Sequence, residues 1–311
     1  MELGLFVEPQ VGGSYRRLAD LARWAEAHGV DAFARSDHYL NSDESAHATD
    51  ALVSLAAVAA ETTSIRLVTL VSPITFRHPA VMAKSATTLD EISGGRFTLG
   101  VGTGWMESEH SAFGLDLPPL AERFDRLGEA LAYIRAVFDG GGRLEGTYYP
   151  LDLHEVAPVA GPGLGIVVGG GGPKKTPTLA GTHADEYNMF VTDGETLAAR
   201  LEVMRGAASD AGRDADDILV SFAGPALVFA TDSEYRTALA ERSSRRDMTP
   251  EAYASFLTER FVPHGLPEQA RHAIARMADA GIGRYYIQEY KPLDDIDLEA
   301  LELAFDALSS P

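Results

Sequence analysis

Residues 165–181 read Gly165-Ile166-Val167-Val168-Gly169-Gly170-Gly171-Gly172-Pro173-Lys174-Lys175-Thr176-Pro177-Thr178-Leu179-Ala180-Gly181. The run Ile166-Val167-Val168 is short, apolar and β-branched, which suits a strand buried on both faces. Four glycines and a proline end it, and a helical stretch follows over 174–181. A second apolar run, 186–190, comes next. Strand, turn, helix and strand in so short a span make a parallel β-α-β unit.

The same alternation extends in both directions. Upstream, strands are expected at 3–7, 30–34, 65–71 and 96–101. Between them lie a helix ended by Gly29, a helix over 49–61, one opened by Pro79 and closed by Gly94-Gly95, and a long helix over 120–138. Residues 140–158 break the rhythm and read as a β-hairpin excursion before strand five. Downstream, a helix over 195–211 leads to a seventh strand at 218–222, with 226–230 as a candidate extension of it. Helices at 233–243, 250–261 and 267–280 precede an eighth strand, 284–288, and a last helix, 298–308. The expectation is a (β/α)8 TIM barrel with insertions after strands four and seven, forming one domain over residues 1–311. A doubly wound open sheet is the alternative, but no G-x-G-x-x-G motif follows strand one.

Composition narrows the function classes. Acids number 46 against 26 Lys plus Arg, for a formal charge of -20. Such a surface repels phosphate backbones and anionic bilayers, so nucleic-acid and membrane partners are not expected. No run approaches ~18 apolar residues and no basic leader opens the chain, which points to the cytoplasm. The chain has no cysteine, which excludes a disulfide scaffold, a thiol nucleophile and a thiolate metal site.

In a parallel barrel, reactive groups follow the C-terminal ends of the strands. That rule selects Glu8, Pro9 and Gln10, then Ser36, Asp37, His38 and Tyr39, then Ser72, Pro73, Thr75, Arg77 and His78. It also selects Gly102-Thr103-Gly104-Trp105 and the run from Gly169 to Thr176. The glycine run is the strongest signal: backbone N–H groups and a helix N-terminus can converge there on one anion. A flexible surface loop is the bland reading of the same residues. Asp37-His38 pairs a group that titrates near neutrality with a carboxylate, although such a pair also serves as an ordinary turn. His28, His47, His78, His110, His154, His183, His264 and His272 show no metal-ligand spacing, so no metal is expected. No G-x-S-x-G elbow supports serine hydrolysis.

Taken in order, these motifs resemble the bacterial luciferase-like superfamily. The likeness rests on Asp31-Ala32-Phe33-Ala34-Arg35-Ser36-Asp37-His38, Phe76-Arg77-His78-Pro79-Ala80-Val81-Met82-Ala83-Lys84 and Thr88-Leu89-Asp90-Glu91-Ile92-Ser93-Gly94-Gly95-Arg96-Phe97. Gly100-Val101-Gly102-Thr103-Gly104-Trp105 and Val168 through Thr176 complete it. Within that superfamily the chain looks most like the branch using the 5-deazaflavin coenzyme F420; the other large branch uses FMN with oxygen.

The resemblance implies a ring-bearing cofactor at the C-terminal mouth, with Asp37 and His38 as the catalytic pair beside it. It places a strand-three bulge, often with a non-prolyl cis peptide, near Leu70-Val71-Ser72. Relatives mostly carry a smaller residue where Leu70 stands. Gly102, Thr103, Gly104 and Trp105 would line the ring, and Gly169, Gly170, Gly171, Gly172, Pro173 and Lys174 would hold the phosphate. The sugar-phosphate dehydrogenase subgroup has Glu where Trp105 stands, which disfavours that substrate class. Tyr148 and Tyr149 read as packing residues, with a pocket wall as the other use. Arg35, Arg77, Lys84, Lys174 and Lys175 are the cations expected near the mouth, with pairing to acids as the other use of several of them.

Three functions follow from the resemblance. The leading one is a hydride-transferring oxidoreductase using coenzyme F420 and a small organic substrate. The others are an FMN monooxygenase fed by a separate reductase and a flavin-binding protein without catalysis. A homodimer is expected by the same resemblance.

Overall fold

The alternation of apolar runs and amphipathic helices closes into a barrel. The computed structural model describes residues 1–41 and 48–309, so His47 lies outside the described residues. Eight parallel strands form the wall: β1 (Glu2–Val7), β2 (Ala32–Arg35), β3 (Arg66–Thr69), β4 (Phe97–Gly102), β5 (Gly165–Gly169), β6 (Glu186–Phe190), β7 (Leu219–Gly224) and β8 (Arg284–Glu289). Each pairs with its sequence neighbours, β8 pairs with β1, and β3 with β4, so the wall has no free edge. The fold is the (β/α)8 TIM barrel.

Alternation along the strands sorts the core into two shells. Leu3, Leu5 and Val7 of β1 face outward to the helices, with Leu67, Leu99, Ile166 and Val168. Phe6, Ala34, Val68, Val167, Ala223 and Tyr286 face inward and fill the barrel. Deeper, Glu186 meets Arg284 and accepts from Ser221 Oγ at 2.5 Å, so these interior charges are paired. The active end is thereby closed off from below.

Strand three departs from the expected continuous run 65–71. It stops at Thr69, passes a cis peptide at Leu70-Val71, and resumes as a two-residue strand, Ser72–Pro73. Val68 faces Thr98 while Ser72 faces Val101, so four steps on one strand answer three on its neighbour. That mismatch is a β-bulge.

The insertions take definite form. After β4 comes a short helix, Glu107–Phe113, that the sequence reading did not anticipate. Seven residues, about two turns, are too few to show helical periodicity. The excursion is a hairpin pairing Gly142–Leu144 with Leu151–Leu153. The proposed extension of strand seven leaves the barrel: Leu227–Val228 pairs instead with His264–Gly265. Pro225 has no N–H with which to continue the ladder. Among the described residues no helix is long and apolar enough to cross a membrane.

Candidate active site

The loop after β2 is fixed from beneath. Arg35 is fully buried and donates to Ser36 O, Thr49 O, Thr49 Oγ1 and Ser54 Oγ at 2.7–2.9 Å. Asp37 accepts from Ser72 Oγ at 2.6 Å and from Arg77 at 2.6 and 3.2 Å. Arg77 also bonds Tyr39 Oη at 2.8 Å and pairs with Asp50, the N-cap of helix Ala51–Glu61. Asp37 thus ties the β2 loop to the bulge of strand three, and its carboxylate is spent on Ser72 and Arg77.

His38 turns the other way. Its Nδ1 donates to Glu109 Oε2 at 3.0 Å. Glu109, with no exposed surface, comes from the unanticipated helix and also accepts the backbone N–H groups of Tyr39 and Leu40. Burial opposes a charge on His38, but the hydrogen bond and charge of Glu109, aided by Glu8 and Asp37, outweigh it and raise the imidazole pKa. Burial likewise opposes the Glu109 carboxylate, and the His38 and backbone hydrogen bonds overcome it, so its pKa is lowered. The two shifts agree on an ion pair with the Nδ1 proton fixed, which leaves Nε2 to act.

That imidazole lines a cavity of about 290 Å³ at the C-terminal end of the barrel. Of the residues expected there, His38, Leu70, Val71, Gly102, Thr103, Gly104, Trp105, Gly169, Gly170 and Gly171 line it. Asp37, Ser72, Gly172, Pro173 and Lys174 do not line it. Phe6, Glu8, Asn188, Met189 and Phe190 line it as well. Glu8 accepts from Gln10 Nε2 and Gln288 Nε2, both at 2.6 Å, and so sits on the floor as a bound carboxylate.

Two glycine features shape the walls. The bulge pushes Val71 inward, and a Cβ on Gly102 or Gly169 would stand 2.7 Å from its methyl groups. Gly104 has φ +74°, and a Cβ there would meet Thr75 Oγ1 at 2.7 Å. Thr75 in turn bonds His110 Nε2 at 2.7 Å, which pins the turn. Trp105 projects from it, 67% exposed, with its ring edge-on to His38 at 5.7 Å between centroids.

The glycine run after β5 tests whether a phosphate-bearing cofactor fits. Gly170 N is taken by Asn188 O at 3.2 Å, and Arg200 Nη2 donates to Gly171 O at 2.7 Å. No hydrogen bond among the described residues engages the N–H of Gly171 or Gly172. A Cβ on Gly171 would meet no atom within 4 Å, and helix Lys175–His183 begins just beyond without a side-chain cap. Unused amides, open space and a bare helix N-terminus are the donor set an anionic group requires. The residues fit.

Several of the cations expected near the mouth are engaged by the protein. Arg35 is buried, Arg77 is held by two carboxylates, and Lys84 bonds Ala157 O. Lys175 pairs with Asp125 at 3.5 Å. The sequence could not show which partners these are, because most are remote in the chain or belong to the excursion.

Residues 1–284 match the family model described as luciferase-like monooxygenase. The chain belongs to that family. Among curated luciferase-like relatives, the F420-dependent glucose-6-phosphate dehydrogenase 1 of Rhodococcus jostii is 34% identical over 205 residues, 65% of this chain and 60% of that one. The chain spans about three fifths of the length of the relatives it matches. An F420-dependent secondary alcohol dehydrogenase, solved with an F420-acetone adduct, superposes with TM-score 0.80 and 20% identity, covering 99% of this chain and 98% of that one. The oxygenating constituent of 3,6-diketocamphane monooxygenase from Pseudomonas putida, solved with FMN, gives 0.77 and 21% over 100% and 97%. At these identities the solved structures show the barrel fold alone.

Proposed function

We propose that this luciferase-like protein is an oxidoreductase that moves a hydride between coenzyme F420 and a small organic substrate. The observation that carries the reading is His38, paired with the buried Glu109 and lining a cavity that also reaches the glycine run. The curated relatives, named as F420-dependent, favour the deazaflavin. When bound, that cofactor supplies or accepts the hydride.

The chain's own residues manage orientation and protons. Gly171 and Gly172 amides and the helix N-terminus hold the phosphate, with Lys174 beside them. Val71, Gly102 and Gly169 form the surface on which a planar ring can lie closely. His38 protonates the substrate oxygen during reduction and takes that proton back during oxidation, through Nε2 in both directions. Glu109 keeps the Nδ1 proton in place throughout. Asp37 positions His38 by clamping its loop to Ser72 and Arg77.

With this reading go a single domain over 1–311 and a cytoplasmic setting; a homodimer goes with it on the family resemblance. The second reading is an FMN monooxygenase served by a separate reductase, favoured by the family description and the FMN-bound neighbour. Parallel titration with both oxidised cofactors tests the two.

A further inference from the structure

Four consecutive glycines let an anion come close to the backbone, but they do not decide which way each peptide plane faces. Residues without a Cβ turn over at little steric cost, so a Gly-Gly plane can present either its N–H or its C=O to the same point. A carbonyl oxygen turned into the cradle would repel a phosphate. A group outside the run has to choose.

Two contacts make that choice. The Gly170 N–H donates to Asn188 O at 3.2 Å, which ties the start of the run to β6. Arg200, from the helix Gly194–Asp210, donates from Nη2 to Gly171 O at 2.7 Å. The peptide joining Gly171 to Gly172 is trans, so its N–H points opposite to its C=O. With the carbonyl drawn toward Arg200, the Gly172 N–H is turned to the other side, where no hydrogen bond among the described residues engages it.

Arg200 has little else to hold it. Its Nε is buried without a hydrogen-bond partner among the described residues, and Nη1 reaches only Met189 Sδ, at 3.9 Å. The Gly171 carbonyl is therefore the one strong acceptor of this guanidinium among the described residues. A side chain 29 positions away in sequence thus fixes a plane that the glycines leave undetermined.

Resting on the proposed function, we propose that Arg200 is a positioning residue for the cofactor phosphate. It acts through Gly171: by holding that carbonyl on the helix side, it presets the Gly172 N–H as a donor to the anion. The phosphate then meets an amide already turned toward it, with no plane to reorient on binding.

The test compares coenzyme F420 with its 5-deazariboflavin core, which lacks the phosphate and the tail. Equilibrium fluorescence titrations are run on wild type, Arg200→Ala and Arg200→Lys. Arg200→Ala should weaken coenzyme F420 by about tenfold or more, the worth of one hydrogen bond to a charged group, and leave affinity for the core nearly unchanged. Arg200→Lys, which still brings one donor to the carbonyl, should recover most of that loss. The ratio between wild type and Arg200→Ala should persist in about 1 M KCl, where the Debye length is about 3 Å. Thermal midpoints of the apo proteins should match. Unchanged affinity for coenzyme F420, an equal loss for the core, a ratio that vanishes in salt, or a lowered apo midpoint overturns the proposal. Failure of the wild type to bind either deazaflavin overturns the function on which it rests instead, and FMN against riboflavin then reads Arg200 in the same way.

Discussion

Glu109 Oε2 lies 3.0 Å from His38 Nδ1, and the same carboxylate accepts the two backbone N–H groups that follow the histidine. One fully buried acid therefore sets the tautomer, the charge and the loop of the proton-transferring group. Glu109→Gln keeps the shape but removes the charge. Because Glu109 raises the His38 pKa, the variant should lose reductive turnover at lower pH than wild type on the basic limb of its profile. An unchanged profile would sever Glu109 from the chemistry.

The same pair gives a stability signature. His38 has a raised folded pKa, so its contribution is complete below its ordinary value of 6.5 and is lost as pH rises through the folded value. Glu109 is lowered, so its contribution is present above 4.5 and is lost as pH falls through its folded value. The difference in thermal midpoint between wild type and Glu109→Gln should be greatest between those two values. Midpoints recorded across pH check this.

His38→Ala should lower turnover by about 10²-fold or more, the usual worth of a general acid or base. Cofactor affinity should move far less. Affinity collapsing together with turnover would make the imidazole a ring-positioning group.

Much of this was legible in sequence, for identifiable reasons. The helix over 120–138 and the strand over 186–190 appear with the expected bounds because their apolar periodicity matches their burial. The glycine run was visible because it interrupts a strand with residues that only a turn needs. Glu109 was not, because its partner stands 71 residues away and its helix is too short to announce itself. Glu8 was named only as a residue after strand one; its link to Gln288 crosses 280 residues. The direction of the Asp37 carboxylate depended on Arg77, which sequence could place near the mouth but could not pair.

Asp37→Asn should act through the fold. Its side chain is fully buried against Arg77, and breaking a buried pair costs about 3–5 kcal/mol, toward the lower end here because Arg77 keeps Asp50. Chemical denaturation should show the loss, with turnover falling alongside it. An inactive variant of wild-type stability would instead return Asp37 to the catalytic centre.

Gly171→Ala separates binding from folding. No atom stands within 4 Å of the new Cβ and φ is not left-handed, so the thermal midpoint of apo protein should hold. Cofactor affinity should fall at least tenfold, because the methyl group occupies the phosphate cradle. Equal affinity would remove the glycine run from the site.

The account turns most on the cofactor, and parallel equilibrium titrations of the purified protein with oxidised coenzyme F420 and FMN address that directly. The deazaflavin should bind at least tenfold tighter, a gap of about 1.4 kcal/mol. Equal or tighter binding of FMN, with oxygen uptake once reduced flavin and substrate are supplied, would contradict it.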